Sequence, residues 1–249
     1  VSGRPPLGAT DIRAARLALR AEPTERLVID LYGDLSDDSS TTGTSMTLSV
    51  FTPHFDDENT PLEETVAAFG ALVSDGLVRY TAVSNYSADR IREWVRIARE
   101  LGVAEPVAVQ PHYNLVHREI ESDVIPLAAE LGLGVVPYFA LAKGFLTGKY
   151  RSSDLDGQSS PRAKAAVEYA TPQGLQILEV MERIGQAHGV SVAAVALAWL
   201  RAKPTVVAPL ASASKLGQVP DLLDGARTDL TAEEVADLDA VSEWTPVDM

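Results

Sequence analysis

Short, almost wholly apolar runs recur along this chain, separated by stretches whose apolar residues return every third or fourth position. The runs are Leu27–Tyr32, Met46–Phe51, Leu77–Val83, Val107–Val109, Gly134–Val136 and Thr205–Ala208. Runs this short and this apolar predict strands buried on both faces. The intervening stretches predict helices. Asp11 caps one through Ala14, Ala15, Leu17 and Leu19, ended by Glu22-Pro23. Thr60 caps the next, with Pro61 at its first position, Glu63 completing a capping box, and Val66, Phe69, Leu72 and Val73 as its apolar face. Ser87 caps a third, with Ile91, Val95 and Ile97 inward. Ile120, Val124, Ile125, Leu127 and Leu131 line a fourth. Helices follow over Gln173–His188 and Val192–Leu200, and Thr231 with Glu234 opens a last one through another capping box. Alternation of this kind predicts an α/β fold with a parallel sheet, and chemistry beyond the carboxyl ends of its strands.

Residues 1–8, the polar stretch 33–44 and the Ser-, Asp-, Lys- and Arg-rich stretch 151–172 predict loops, the last folding over the mouth of the site. There is no internal repeat beyond the strand–helix alternation and no Pro/Gly linker, so residues 1–249 are expected to form a single domain. That length suits one barrel of about 250 residues. A hydrophobic share of 46% excludes a disordered chain. No apolar run approaches the roughly 18 residues of a membrane-spanning helix, and the start carries no signal-peptide pattern. With no cysteine, disulfides and thiolate chemistry are out; cytoplasm is the default compartment. A net charge of −14 argues against nucleic acid or an anionic membrane as partner. An anionic cofactor would need a locally positive pocket.

The loops after the strands are specific in wording. Thr60 to Thr65 reads TPLEET; then come Val83-Ser84-Asn85, Gln110-Pro111-His112-Tyr113-Asn114, Pro137-Tyr138, Leu146-Thr147-Gly148-Lys149 and Ala208-Pro209-Leu210-Ala211-Ser212. In this order and spacing, from about Phe51 to the C-terminus, the chain resembles the aldo-keto reductases. The resemblance implies a parallel (β/α)8 TIM-type barrel, NADP(H) bound across the carboxyl ends of the strands, and hydride transfer to aldehydes or ketones. The first two strands of that barrel have no counterpart here, so about six of its eight strands are expected. About 75 residues carrying Asp, Tyr and Lys are expected upstream of Val1, from the barrel's repeat size. Open edges would be covered by 33–45, by closure of a smaller barrel, or by a second copy in a homo-oligomer. The helix and strand before Gly33 fit the barrel as its second helix and third strand, or as its third helix and fourth strand with 33–51 inserted. The first is favoured because it keeps His54 at the end of the fourth strand.

The resemblance also implies roles for individual residues. His54, six residues before Thr60-Pro61, would orient and polarise the substrate carbonyl; otherwise it is a solvated loop histidine beside Asp56, Asp57 and Glu58. The family needs a tyrosine as general acid, a lysine to lower its pKa and an aspartate to pair with the lysine. Tyr32, with Asp30, is the candidate acid, but no lysine accompanies it. Ser84, Asn85 and Gln110 would hold the nicotinamide carboxamide, and Tyr138 would stack on the nicotinamide ring. Phe139, Ala140, Leu141, Lys143, Gly144, Leu146 and Lys149 would clasp the pyrophosphate, Gly144 permitting close backbone approach. Ala211, Ser212, Ser214, Lys215 and Gln218 would grip the adenosine 2′-phosphate. Lys215 replaces the arginine that related sequences carry at Ser214, which leaves NADPH against NADH open. His112 and His117 read better as loop histidines than as metal ligands, because no third ligand converges. His188 reads as a helix C-terminal residue, and Trp94, Trp199 and Trp244 as packing. The expected function is NADP(H)-dependent interconversion of a small carbonyl compound and its alcohol. The alternative is a catalytically impaired nucleotide-binding or interaction protein on the same scaffold.

Overall fold

Between Ala14 and Ala21, Arg16, Ala18 and Arg20 alternate with Leu17, Leu19 and Ala21, which is the two-residue period of a strand. The computed structural model describes residues 14–24, 27–36, 60–151, 165–213 and 215–244, the first two segments through their backbone. There Ala14–Thr24 is strand β1, not the helix expected after Asp11, and it pairs antiparallel with β2, Leu27–Ser36. The register sets Leu19 opposite Leu31 and Ala18 opposite Tyr32, and shifts between Ala21 and Thr24. Pro23, which has no N–H for a ladder, lies at that shift. β2 therefore belongs to a hairpin rather than to a parallel sheet, and it continues through Gly33 to Ser36, where a loop was expected. The remainder of that loop, the expected strand Met46–Phe51 and His54 lie outside the described residues.

Two units are distinguished: Val1–Ala82 with Asp89–Pro106, and Val83–Ala88 with Val107–Met249. In the first, α1 spans Leu62–Ser74 and α2 spans Ala88–Leu101, whose first residue belongs to the second unit. α1 opens with Pro61 as its N-cap residue, one place later than the Thr60 cap expected, without a side-chain cap bond. Leu62, Val66 and Phe69 are buried on α1, and Ile91, Trp94, Val95, Ile97 and Ala98 on α2. Phe69 meets Trp94 edge-on at 5.4 Å. Gly70 has no room for a side chain, since a Cβ there would lie 2.5 Å from Val103. Leu77 and Val78 do not join a strand. Their N–H groups donate to Leu72 O at 3.0 and 3.2 Å and close the end of α1.

The second unit is built on β3 (Ala82–Ser84, of which Val83 and Ser84 belong to this unit), β4 (Ala108–Gln110) and β5 (Gly134–Val135), side by side in that order. β4 and β5 are parallel, and Val206 adds a parallel bridge to Val135. Val135 N donates to Thr205 O at 2.8 Å and Val207 N to Val135 O at 2.9 Å. Of the expected barrel strands, these stand together as a parallel α/β arrangement. Helix α3 (Val124–Leu131) follows a 3-10 turn at Glu119–Ser122 and ends at left-handed Gly132. α4 (Pro172–His188) and α5 (Val192–Arg201) are capped by Thr171 and Ser191. α6 spans Val219–Arg227. α7 (Ala232–Val241) opens with the expected capping box: Glu234 N donates to Thr231 Oγ1 at 3.2 Å, and Thr231 N to Glu234 Oε2 at 2.8 Å. α5 is buried from Ala193 to Leu200, as expected of a helix apolar all round. No described helix is long and apolar enough to cross a membrane.

Candidate functional site

Parallel strands bring their carboxyl ends to one edge of a sheet, and β3, β4 and β5 each stop there in polar or aromatic residues. Ser84 Oγ donates to Gln110 O at 2.8 Å and lies 3.4 Å from Gln110 Oε1. One strand over, Tyr138 N donates to Pro111 O at 2.9 Å, and His112 and Tyr138 form a parallel bridge. The Tyr138 hydroxyl spans the row and donates to Asn85 Oδ1 at 2.8 Å. Asn85 reaches that position with φ 61°, a left-handed conformation that asparagine tolerates better than most residues. Ser84, Asn85, Gln110 and Tyr138 are thus brought together. Tyr138 engages the side-chain carbonyl oxygen of Asn85, and among the described residues neither the Asn85 nor the Gln110 amide nitrogen has an acceptor, so both can donate to a ligand. Burial pushes the Tyr138 phenol above its ordinary pKa, and the bond to Asn85 pulls the other way.

Beyond β5 the backbone turns sharply. Phe139, Ala142 and Lys143 have φ of 51°, 47° and 56°, and Gly144 has φ 104°. Only glycine adopts that last value without strain. The segment Ala142–Thr147 is a kinked 3-10 turn with the side chains of Ala142, Phe145 and Leu146 buried, as is Ala140. Lys143 Nζ lies 3.9 Å from Glu168 Oε2, 5.9 Å from the Phe139 ring centre and 5.8 Å from that of Tyr169. Phe139 is 47% exposed, and Lys149 is exposed. Leu141 accepts from Gly144 N and Leu146 N. Leu210 N donates to Pro137 O at 2.8 Å and ties the next loop to the end of β5. On that loop Ala211, Ser212 and Lys215 are exposed, and Gln218 accepts from Lys215 N at 3.2 Å. Ser214 lies outside the described residues. Tyr32 sits within β2 opposite Ala18, not at a strand end before a loop as expected.

Residues absent from the expected site stand behind Tyr138. Asn114 is 0% exposed and its amide is fully used. Oδ1 accepts from Val116 N at 2.9 Å, and Nδ2 donates to Phe139 O at 2.9 Å and lies 3.2 Å from His112 Nε2. The His112 ring is 3.7 Å from that of His117 and nearly parallel to it, and 5.4 Å from that of Tyr138 at 21°. Burial first, then His117 and Lys143, lowers the His112 pKa from 6.5 to about 4. His117 is lowered too, by burial and Lys143 against the pull of Glu119. Among the described residues no three potential ligands gather for a metal ion. The sequence signal for this cluster was the loop wording Gln110-Pro111-His112-Tyr113-Asn114, which places His112 and Asn114 just after a strand end. Glu168 and Tyr169 were hidden in what read as a polar excursion.

These strand-end residues are joined by the match of residues 40–243 to the Aldo/keto reductase family, and the chain belongs to that family. It is 32% identical over 200 residues to a probable voltage-gated potassium channel subunit beta of Oryza sativa subsp. japonica, covering 78% of this chain and 61% of that protein. It is 32% identical over 201 residues to the L-glyceraldehyde 3-phosphate reductase of Escherichia coli (strain K12), covering 77% and 57%. With the probable aldo-keto reductase 1 of Glycine max it shares 29% over 192 residues, covering 77% and 54%. The chain thus spans between 54% and 61% of the length of these relatives.

Proposed function

We propose that this chain carries the nicotinamide-binding side of an NADP(H)-dependent reductase of small carbonyl compounds, with residues 1–249 as one cytoplasmic aldo-keto reductase domain. The observation that carries the reading is the row Ser84–Gln110 and Asn85–Tyr138 at adjacent strand ends. Two amide nitrogens, a hydroxyl and an aromatic ring match the donors, acceptors and flat face of a nicotinamide carboxamide. Lys143, beside a backbone turn that only Gly144 permits, and Lys215 supply positive charge for phosphates in a chain of net charge −14. The dinucleotide, when bound, supplies the hydride. The part of the second unit is to orient the ring through Tyr138 and hold the carboxamide through Ser84, Asn85 and Gln110; the family resemblance assigns His54 the polarising of the carbonyl.

One observation favours the alternative of a chain that binds but scarcely reduces. A tyrosine that donates a proton near neutral pH needs its pKa lowered. The tyrosines with a resolved shift, Tyr113, Tyr138 and Tyr169, are all raised, chiefly by burial. Tyr32 lies in a hairpin. A binding or interaction role would also agree with the potassium channel subunit among the relatives. The test is a fluorescence titration with NADPH beside turnover of a nitrobenzaldehyde. Saturable NADPH binding, weakened about three- to tenfold or more by Tyr138→Ala, is the expected result, and turnover about 10²–10⁴-fold below that of an enzyme with its general acid in place would favour the binding role. Absence of binding at millimolar NADPH would overturn the reading. Substantial turnover abolished by His54→Ala but indifferent to Tyr32→Phe would place the acid elsewhere.

A further inference from the structure

His112 lies against Tyr138, and among the described residues no group of three potential metal ligands includes it. Its Nε2 faces the Nδ2 of Asn114 at 3.2 Å. The Asn114 amide cannot be turned round, because its Oδ1 accepts from Val116 N and its Nδ2 donates to Phe139 O. Nε2 of His112 must therefore accept, which fixes the ring as the neutral tautomer with its proton on Nδ1. The ring plane is set as well. His117 lies 3.7 Å away at 14°, and it is held there by a closed turn in which Asn114 N donates to His117 O at 3.1 Å and His117 N to Asn114 O at 3.0 Å. Tyr138 stacks at 5.4 Å and 21°, and Phe139 meets the ring edge-on at 5.3 Å. Asn114 also holds the Phe139 carbonyl, and so the left-handed backbone immediately after Tyr138.

We propose that His112, backed by His117 and oriented by Asn114, is a positioning residue that fixes the ring plane of Tyr138. This rests on the reading that Tyr138 stacks on the nicotinamide. The hydroxyl of Tyr138 is anchored at one point, Asn85 Oδ1, and a single hydrogen bond leaves a phenol free to turn about its axis. Phe139 meets the ring edge-on at 5.0 Å, and the imidazole supplies the constraint along its face. The fixed ring presents a ready face, so that binding need not order the side chain. His112 itself needs no contact with the dinucleotide.

The test uses the full chain and two readouts. One is NADPH affinity by fluorescence; the other is the Tyr138 resonance in the ligand-free, 13C-tyrosine-labelled protein, assigned by its loss in Tyr138→Phe. His112→Ala is expected to weaken NADPH about three- to tenfold, the size of a lost ring stack, and to shift or broaden the Tyr138 signal. His112→Phe, which keeps a flat ring, restores most of the affinity. In a Tyr138→Ala background His112→Ala adds nothing. If it costs as much there as in the parent, or leaves the Tyr138 signal unmoved, the proposal is overturned. Should His112→Ala fail to fold, His117→Ala removes the backing ring and must move the same signal for the proposal to stand. If the parent binds no NADPH, the functional reading fails while the resonance alone still decides the positioning role.

Discussion

At the residue scale the buried polar groups around Tyr138 are held in one protonation state, and His112 makes this measurable. Its folded pKa of about 4 lies below the ordinary 6.5, so an unfolded chain binds a proton at intermediate pH that the folded chain refuses. Stability from this residue is fully present above about 6.5 and is lost as pH falls toward about 4. The urea midpoint is therefore expected to fall between pH 7 and pH 4.5, and His112→Phe to flatten that slope. An unchanged slope in the variant would mean that His112 titrates normally. The legibility of this site was uneven for a local reason. Ser84 and Gln110 follow directly on an apolar run, and Asn85 and Tyr138 come one residue later, so their position at a strand end could be read from neighbours in sequence. Asn114 could not, because its role depends on Phe139, 25 residues away.

At the element scale, helix packing in the second unit depends on α5 lying close to α6. Gly225 on α6 is buried, and a Cβ there would meet Leu197 Cβ at 2.7 Å and Ala194 Cα at 3.3 Å. Both obstacles belong to a helix buried along its length, so neither yields easily. Gly225→Ala is expected to cost about 1–3 kcal/mol by overpacking, read as a lower urea midpoint. Gly217, with nothing within 4 Å of its would-be Cβ, is the control: Gly217→Ala should leave the midpoint nearly unchanged. Helix α7 was legible because Thr231 caps it through a bond to Glu234 N, and Thr171 and Ser191 cap α4 and α5 in the same way through Gly174 N and Ala194 N. Such bonds span three residues and need no tertiary partner.

At the scale of the whole chain, one polar network joins its middle to its C-terminal helix. Arg118 forks onto Glu121, with Nε–Oε1 at 2.9 Å and Nη2–Oε2 at 2.7 Å, and its Nη1 donates to Asp239 O at 2.8 Å and Ser242 Oγ at 2.7 Å. Asp239 Oδ1 accepts from Trp199 Nε1 at 2.8 Å and Lys203 Nζ at 2.5 Å. Tyr113, whose phenol is pushed up by burial and by Glu121, donates to Glu121 Oε1. Arg118 is 9% exposed; burial lowers its pKa, but Glu121 and Asp239 outweigh it and hold the guanidinium above its usual value. Arg118→Ala would leave Glu121 with the Tyr113 hydroxyl while Asp239 keeps Trp199 and Lys203, at a cost of about 1–3 kcal/mol because both carboxylates retain other partners and some solvent. Arg118→Lys should recover little, since an ammonium cannot fork onto two oxygens. Urea unfolding of the two variants checks this; full recovery by lysine would show that charge alone suffices.

What the sequence determined by itself is local. The capping box at Thr231, the helix from Gln173 to His188, the short apolar strands and the strand-end residues that mark the family all rest on neighbours a few positions apart, where φ preferences and capping bonds are decided. What only the tertiary structure decided depends on partners distant in sequence. Ala14–Thr24 carries enough apolar spacing for a helix, but it forms a strand because Leu27–Ser36 offers it a ladder. Leu77 and Val78 have the composition of a strand, yet the end of α1 takes their N–H groups. Arg118, near the start of a helical turn, is committed to Asp239 and Ser242, more than a hundred residues further on. In each case the backbone or side chain had more than one way to satisfy its hydrogen bonds. The partner that chain closure brought within reach settled which was used.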